Sequence, residues 1–204
     1  MVRFIVGLDL SLSATGVVVL AHQGVNSTIS LRLIASYVCS APAPDGTETD
    51  KGLRLYELTQ KIADGISKHV PYESCSDIHV YAEGYSFGSR NARERIGETH
   101  GAVFAGIWAD FERPVSYVTP ATAKWVACPD HYGWSKANWE AARKTGKWKR
   151  SMPSKEEVML GVYRRFGLRL ATDAEADAFC VAYSGMMKNP WFKPGVLISD
   201  DRKF

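Results

Sequence analysis

Within its first 39 residues the chain carries three apolar, β-branched runs divided by connectors too short to hold a helix, and few folds accept that arrangement. Phe4–Leu8 (FIVGL) is continuously apolar, as a strand covered on both faces requires. After the small polar turn SLSATG comes Gly16–Leu20 (GVVVL), and a third run, Ile29–Cys39, alternates in places like a half-buried strand. A parallel return needs a crossover of a dozen or more residues, so these short connectors predict an antiparallel meander.

Beyond Cys39 the hydrophobic period changes. Ala41–Gly52 (APAPDGTETDKG) has the Pro, Gly and Asp content of a loop. Leu53, Tyr56, Ile62 and Ile66 recur near the helical repeat, predicting an amphipathic helix over Leu53–His69 that stops before Pro71. Ile78–Ala82 (IHVYA) reads as a strand running into Glu83, and Asn91–Phe111 as a long helix with Ile96, His100, Val103, Phe104, Ile107, Trp108 and Phe111 along one face. Val115–Val118 is a fifth short strand and Ala121–Ala127 a short helix. Ser154-x-x-Glu157 and Thr172-x-x-Glu175 are capping-box signatures that open helices reaching Phe166 and about Met187. Strands first, then strands interleaved with helices, predict one α/β domain with a mixed sheet. The tail Lys188–Phe204, with Pro190 and Pro194, is expected to be irregular.

A composition of 46% hydrophobic and 23% charged residues excludes disordered and fibrous classes. No apolar run approaches the roughly 20 residues of a membrane span. The start, MVRFIVGLDLS, reaches Asp9 without a signal-peptide cleavage pattern, so no membrane partner and a cytoplasmic location are expected, or the host cytoplasm for a viral source. Cys39, Cys75, Cys128 and Cys180 stand too far apart for a zinc spacing. Net charge is only +3, yet His131–Ser151 holds six Lys/Arg against one Glu, a local +5 that leaves 19 basic and 21 acidic residues, net −2, for the rest. Such asymmetry points to a polyanionic partner.

Four acids fall where packing gives no reason for them. Asp9 ends the first apolar strand, Glu83 ends the fourth, and Asp173 and Asp177 stand one helical turn apart on a shared face. If the first and fourth strands are neighbours, Asp9 and Glu83 meet. Clustered carboxylates raise one another's pKa unless a cation lies between them. Oxygen ligands without His or Cys favour Mg²⁺ or Mn²⁺, and two such ions can hold the attacking water and leaving oxygen of a phosphodiester. Hydrolysis of nucleic acid is the chemistry that set could perform. Each acid also has a plain structural account: Asp9 as a turn residue beside Ser11, Ser13 and Thr15, Glu83 as a solvated strand end, and Asp173 as a first-turn acid favoured by the helix dipole. Glu175 fits a capping-box partner, whereas Asp177, within an otherwise apolar stretch (AFCVAY follows it), has no such account.

The string GLDLSLSATG at Gly7–Gly16 resembles the opening motif of the RuvC family of Holliday junction resolvases, within the RNase H-like superfamily. Further pieces match in order: YAEGYSFGSRNARERIGETHGAVFAGI (Tyr81–Ile107), VTPATAKWVA (Val118–Ala127), SKEEV (Ser154–Val158) and EADAFCVAY (Glu175–Tyr183). The resemblance spans roughly residues 3 to 187, and the order of the motifs carries it. It implies an RNase H-like α/β fold with a mixed five-stranded sheet flanked by helices, a nuclease domain over 1–187 followed by a 188–204 tail, and a homodimer. It also implies Mg²⁺-dependent resolution of four-way DNA junctions by paired nicks, with two ions per site and Mn²⁺ able to substitute. Asp9, Glu83 and Asp177 match the family's catalytic acids, and Lys124 and Lys155 its basic residues near the scissile phosphate.

Two departures stand out. The family's fourth ligand falls three residues before the last Asp, and that position is Ala174 here, so Asp173 is taken as the fourth ligand with Glu175 as its rival. Between Ala127 and Ser154, in place of a short Gly-containing loop, lies an insertion over about 128–153. It carries Trp134, Trp139 and Trp148 among Lys136, Arg143, Lys144, Lys147, Lys149 and Arg150. Cations that neutralise phosphate beside aromatic faces that stack on unpaired bases suit branched DNA; the alternative is a surface excursion whose tryptophans fold back on the core. After Glu83, Tyr85 or Phe87 is a candidate junction wedge, flanked by Arg90 and Arg93, although the family's usual aromatic position falls at Ser86.

The sequence therefore predicts a structure-selective endodeoxyribonuclease acting on four-way junctions. A flap or fork nuclease of the same fold, a non-cutting junction-binding module, and an actin-like sugar kinase are the alternatives; the chain is short for the last and carries no GxxxxGK[ST] loop.

Overall fold

The three opening runs form the meander that their connectors demand. In the computed structural model, which describes residues 2–25, 28–41, 48–84, 90–129, 153–192 and 197–202, strand β1 (Val2–Asp9) pairs antiparallel with β2 (Thr15–Val25), and β2 with β3 (Thr28–Cys39). Helix α1 (Glu48–Ser67) and a short 3₁₀ segment (Tyr72–Asp77) lead into β4 (Ile78–Glu83), which returns parallel to β1. Helix α2 (Arg90–Phe111) crosses to β5 (Val115–Val118), parallel to β4. Helices α3 (Pro120–Ala127), α4 (Lys155–Phe166) and α5 (Asp173–Met187) come next, and β6 (Leu197–Asp200) closes the order β5-β4-β1-β2-β3-β6.

The expected mixed sheet flanked by helices is present, and it is one strand wider than expected. The tail expected to be irregular supplies β6, whose Leu197–Asp200 lies parallel to Ser30–Leu33. An open strand edge offers unpaired backbone groups to any extended segment that reaches it, and the apolar pair Leu197-Ile198 follows the tail's prolines.

Side-chain alternation along β1 divides the core. Phe4, Val6 and Leu8 bury against α1 and α2, through Leu58, Ile62, Ile66, Val103, Ile107 and Phe111. Ile5 faces the other way, with Val18, Leu20, Leu33 and Tyr81, against α3, α4 and α5. Helices thus cover both faces, which explains why β1 and β2 read as continuous apolar runs.

Two helices depart from expectation. Helix α1 starts at Glu48, inside the stretch expected to be a loop. Its buried stripe is Leu58, Ile62, Ala63 and Ile66, while Leu53 and Tyr56 are exposed. On α2, Val103, Ile107 and Phe111 bury as expected, but Trp108 is 57% exposed because a helix packed on one sheet face buries a single stripe. Among the described residues no helix is long and apolar enough to cross a membrane.

Candidate active site

Small residues seat α5 directly on the sheet. A Cβ at Gly7 would collide with the Ala178 carbonyl oxygen and lie 2.7 Å from the Ala182 Cβ; one at Gly16 would collide with the Ala174 carbonyl. Backbone therefore meets backbone where α5 crosses β1 and β2, and any side chain at these two positions would lift the helix. The capping box of Thr172 and Glu175 fixes where α5 begins: the Thr172 amide donates to Glu175 Oε2 at 2.8 Å and the Glu175 amide to Thr172 Oγ1 at 3.2 Å. Ser184 Oγ donates to the Thr122 carbonyl at 3.1 Å and ties α3 alongside.

This packing brings three of the four singled-out acids together. The parallel register of β1 and β4 sets Leu8 opposite Ala82, so Asp9 and Glu83 end adjacent strands side by side. Both continue the side-chain parity of Ile5 and Tyr81, the face covered by α5. Asp177 comes from the second turn of α5, above Gly7 and its neighbours. The turn after Asp9 is braced by Thr15, which is fully buried; the Ser11 amide donates to Thr15 Oγ1 at 3.0 Å, and that hydroxyl donates back to the Ser11 carbonyl.

Burial, first of all, pushes the Asp9 carboxyl up to about 8, and the charges of Glu83 and Asp177 add to the rise while Lys124 opposes it. Protonated Asp9 donates a hydrogen bond toward the Glu83 carboxylate, which raises its own pKa and lowers that of Glu83. Glu83 is nonetheless raised, by burial and then by Asp177. Asp177 is raised by burial too, with Lys124 opposing and the charge of Asp173 adding to the rise, and its Oδ1 is buried without a hydrogen-bond partner among the described residues. Lys124, on α3, acts on all three carboxyls.

A buried carboxylate oxygen left unpaired costs free energy unless a cation or donor meets it. The orphaned Asp177 Oδ1, beside two acids whose ionisation is suppressed, fits a hard divalent cation held by oxygen. As the side chains stand, no three His, Cys, Asp or Glu groups among the described residues already enclose an ion.

Asp173 and Glu175 each have a partner of their own, and Asp173 also acts on Asp177 through its charge. Asp173 forms an ion pair with Lys155, from the first turn of α4. Glu175 is 4% exposed and committed to its capping box. Ala174 is buried with its carbonyl against Gly16. Arg90 and Arg93 belong to the first turns of α2, but their side chains lie outside the described residues. So do Tyr85, Phe87, Trp134, Lys136, Trp139, Arg143, Lys144, Lys147, Trp148, Lys149 and Arg150.

Two features are not evident from sequence alone. Thr15 reads as a turn former, although the Ser11-x-x-x-Thr15 spacing already allows a closed local ring. The contact role of Gly7 and Gly16 has a signal in a glycine that interrupts an otherwise β-branched strand, which marks a close backbone approach.

No protein-family model matches the chain, and no curated protein sequence does. Among solved structures, RuvC of Thermus thermophilus matches at a TM-score of 0.57 and 20% identity, over 90% of this chain and 92% of that one. The structure of T. thermophilus RuvC in complex with a Holliday junction substrate matches at 0.57 and 19%, with the same coverage. The chain has a RuvC-like fold.

Proposed function

We propose that this chain is a structure-selective DNA endonuclease that resolves four-way junctions by paired nicks, working as a homodimer with Mg²⁺, for which Mn²⁺ substitutes. The observation that carries this reading is the meeting of Asp9, Glu83 and Asp177, three partly or mostly buried acids from distant parts of the chain, at one end of the sheet. The RuvC-like fold supports it, since the T. thermophilus protein of that fold is found bound to a Holliday junction.

In this reading residues 1–187 form the nuclease domain, and Asp9, Glu83 and Asp177 hold the divalent ions. When bound, the ions would activate water and stabilise the leaving oxygen of the phosphodiester. The protein's own groups do the rest. Asp9 would release its proton on binding a cation, and the three carboxylates at the sheet's end would hold the positive charge. Lys124 and Lys155 offset negative charge developing on the phosphate. Tyr85 or Phe87 enters the junction centre, Arg90 and Arg93 bind backbone phosphates, and the insertion, through Trp134, Trp139, Trp148 and its Lys and Arg residues, grips the branched strands.

The test is cutting of labelled mobile four-way junction, flap, fork and plain duplex under one salt condition, with and without Mg²⁺. Paired symmetrical nicks in the junction, and only with Mg²⁺, are expected. Preferred cutting of flaps or forks would transfer the reading to a flap or fork nuclease, and tight junction binding without cutting at any Mg²⁺ concentration would leave a binding module.

A further inference from the structure

Lys155 stands where a lysine is electrostatically out of place. It is the first residue of α4, after the N-cap Ser154, and the N-terminus of a helix carries partial positive charge that disfavours a cation. The other first-turn residues obey the rule: Glu156 and Glu157 are acids, and Glu157 closes the capping box by accepting from the Ser154 amide at 2.6 Å. Local choices that conflict with their element tend to mark functional positions.

The conflict is answered from the neighbouring helix. Asp173 is the first residue of α5, and its Oδ2 accepts from Lys155 Nζ. The two helix starts thus lie side by side, joined through one ion pair. Lys155 is 70% exposed in its side chain and Asp173 35%, so the pair adds little to the stability of the fold. What it does is place a charge. Asp177 and Asp9 both act on the Lys155 ammonium, and Lys155 acts on Asp177, so the ammonium is held within electrostatic reach of the acid cluster.

We propose that Asp173 is a positioning residue for Lys155 and not a ligand of the divalent ion. The inference rests on the nuclease reading and sharpens it, because it divides the two aspartates of α5 into different roles although they share a helix face. Asp177, nearer the sheet and with an orphaned oxygen, serves the cation; Asp173, one turn toward the helix start, holds the ammonium that meets the DNA phosphate. With Glu175 locked in its cap, Asp9, Glu83 and Asp177 are the carboxylates left to the cation among the described residues.

Manganese binding to the full chain without DNA, read by the loss of the free Mn²⁺ electron paramagnetic resonance signal, separates the roles. Asp173→Asn is expected to keep Mn²⁺ affinity within about twofold of the wild type, while Asp177→Asn weakens it by at least about tenfold. Equal weakening by the two substitutions overturns the proposal. Single-turnover junction cutting supplies a second arm: Asp173→Asn and Lys155→Ala each slow it by about 10- to 100-fold, and the double variant is no slower than Lys155→Ala alone. Multiplicative losses in the double variant would mean that Asp173 acts independently of Lys155 and would also overturn it. The nuclease reading fails on a different result, namely an Asp9→Asn protein that still cuts with Mg²⁺.

Discussion

Asp9 and Glu83 end neighbouring parallel strands in one register, and burial together with the charge of Glu83 pushes the Asp9 carboxyl up to about 8. The folded chain keeps Asp9 protonated up to about 8, whereas an unfolded aspartate ionises near its ordinary value of 3.8. The unfolded state therefore binds fewer protons through that window, and stability of the metal-free protein falls as pH rises from about 4 to about 8. Asp9→Asn removes that loss. Thermal unfolding with a chelator present should show the variant melting above the wild type at pH 8 to 9, with the difference shrinking as pH falls below the unfolded value of 3.8, where the wild-type Asp9 is protonated in both states.

Proton release is the counterpart on the binding side. A cation that enters at pH 7 meets a largely protonated Asp9 and must displace that proton. Calorimetric Mn²⁺ titrations in buffers of different ionisation enthalpy should report close to one proton released per binding event at pH 7 and less at pH 9. An unchanged enthalpy across buffers at pH 7 would contradict the protonated Asp9.

Lys124 opposes the pKa rise of Asp9, Glu83 and Asp177 alike, so it competes with any cation for the same field. Lys124→Met is expected to tighten Mn²⁺ binding and yet slow junction cutting by about 10²-fold, since the charge that offsets the phosphate is lost. Tighter binding with faster cutting would assign Lys124 a purely inhibitory role.

Seating of α5 depends on the missing Cβ at Gly7, because the Ala178 carbonyl and Ala182 fill that space. Gly7→Ala should destabilise the fold by about 1–3 kcal/mol through overpacking. It should also weaken Mn²⁺ binding, since lifting α5 carries Asp177 away from Asp9. A Gly52→Ala control, where nothing lies within 4 Å, should leave ion binding unchanged.

The same contact shows how far sequence alone reaches. Hydrophobic period and turn chemistry disclose the meander and both capped helices, because each rests on residues close in sequence. The meeting of Asp9, Glu83 and Asp177 is legible only as a conditional, since it depends on a β1–β4 pairing across some 70 residues. Side-chain detail is not legible at all for Asp173: a one-turn spacing puts it on the face of Asp177, but its partner Lys155 arrives from another helix. The sixth strand is hidden for the same reason, as Leu197–Asp200 is a strand only where the edge of β3 receives it. Leu53 and Tyr56 mislead in the opposite sense, by matching a helical spacing on a face that meets no neighbour.

The tryptophans of the insertion make a separate claim. Replacing Trp134, Trp139 and Trp148 together by Ala should weaken junction binding more than duplex binding, because stacking needs unpaired bases. Equal losses on both substrates, measured by fluorescence anisotropy at one salt concentration, would refute the stacking role.

One ion centre built from three distant acids is the central claim. Its most direct test is a Mg²⁺ titration of single-turnover nicking on a labelled four-way junction by the wild type and by Asp177→Asn, with binding followed in parallel by gel shift. Wild-type cutting is expected to rise from zero with Mg²⁺, and the Asp177→Asn protein to bind the junction as well as the wild type without nicking it. Wild-type rates from the Asp177→Asn protein, or cutting by the wild type in a chelator, would contradict the claim.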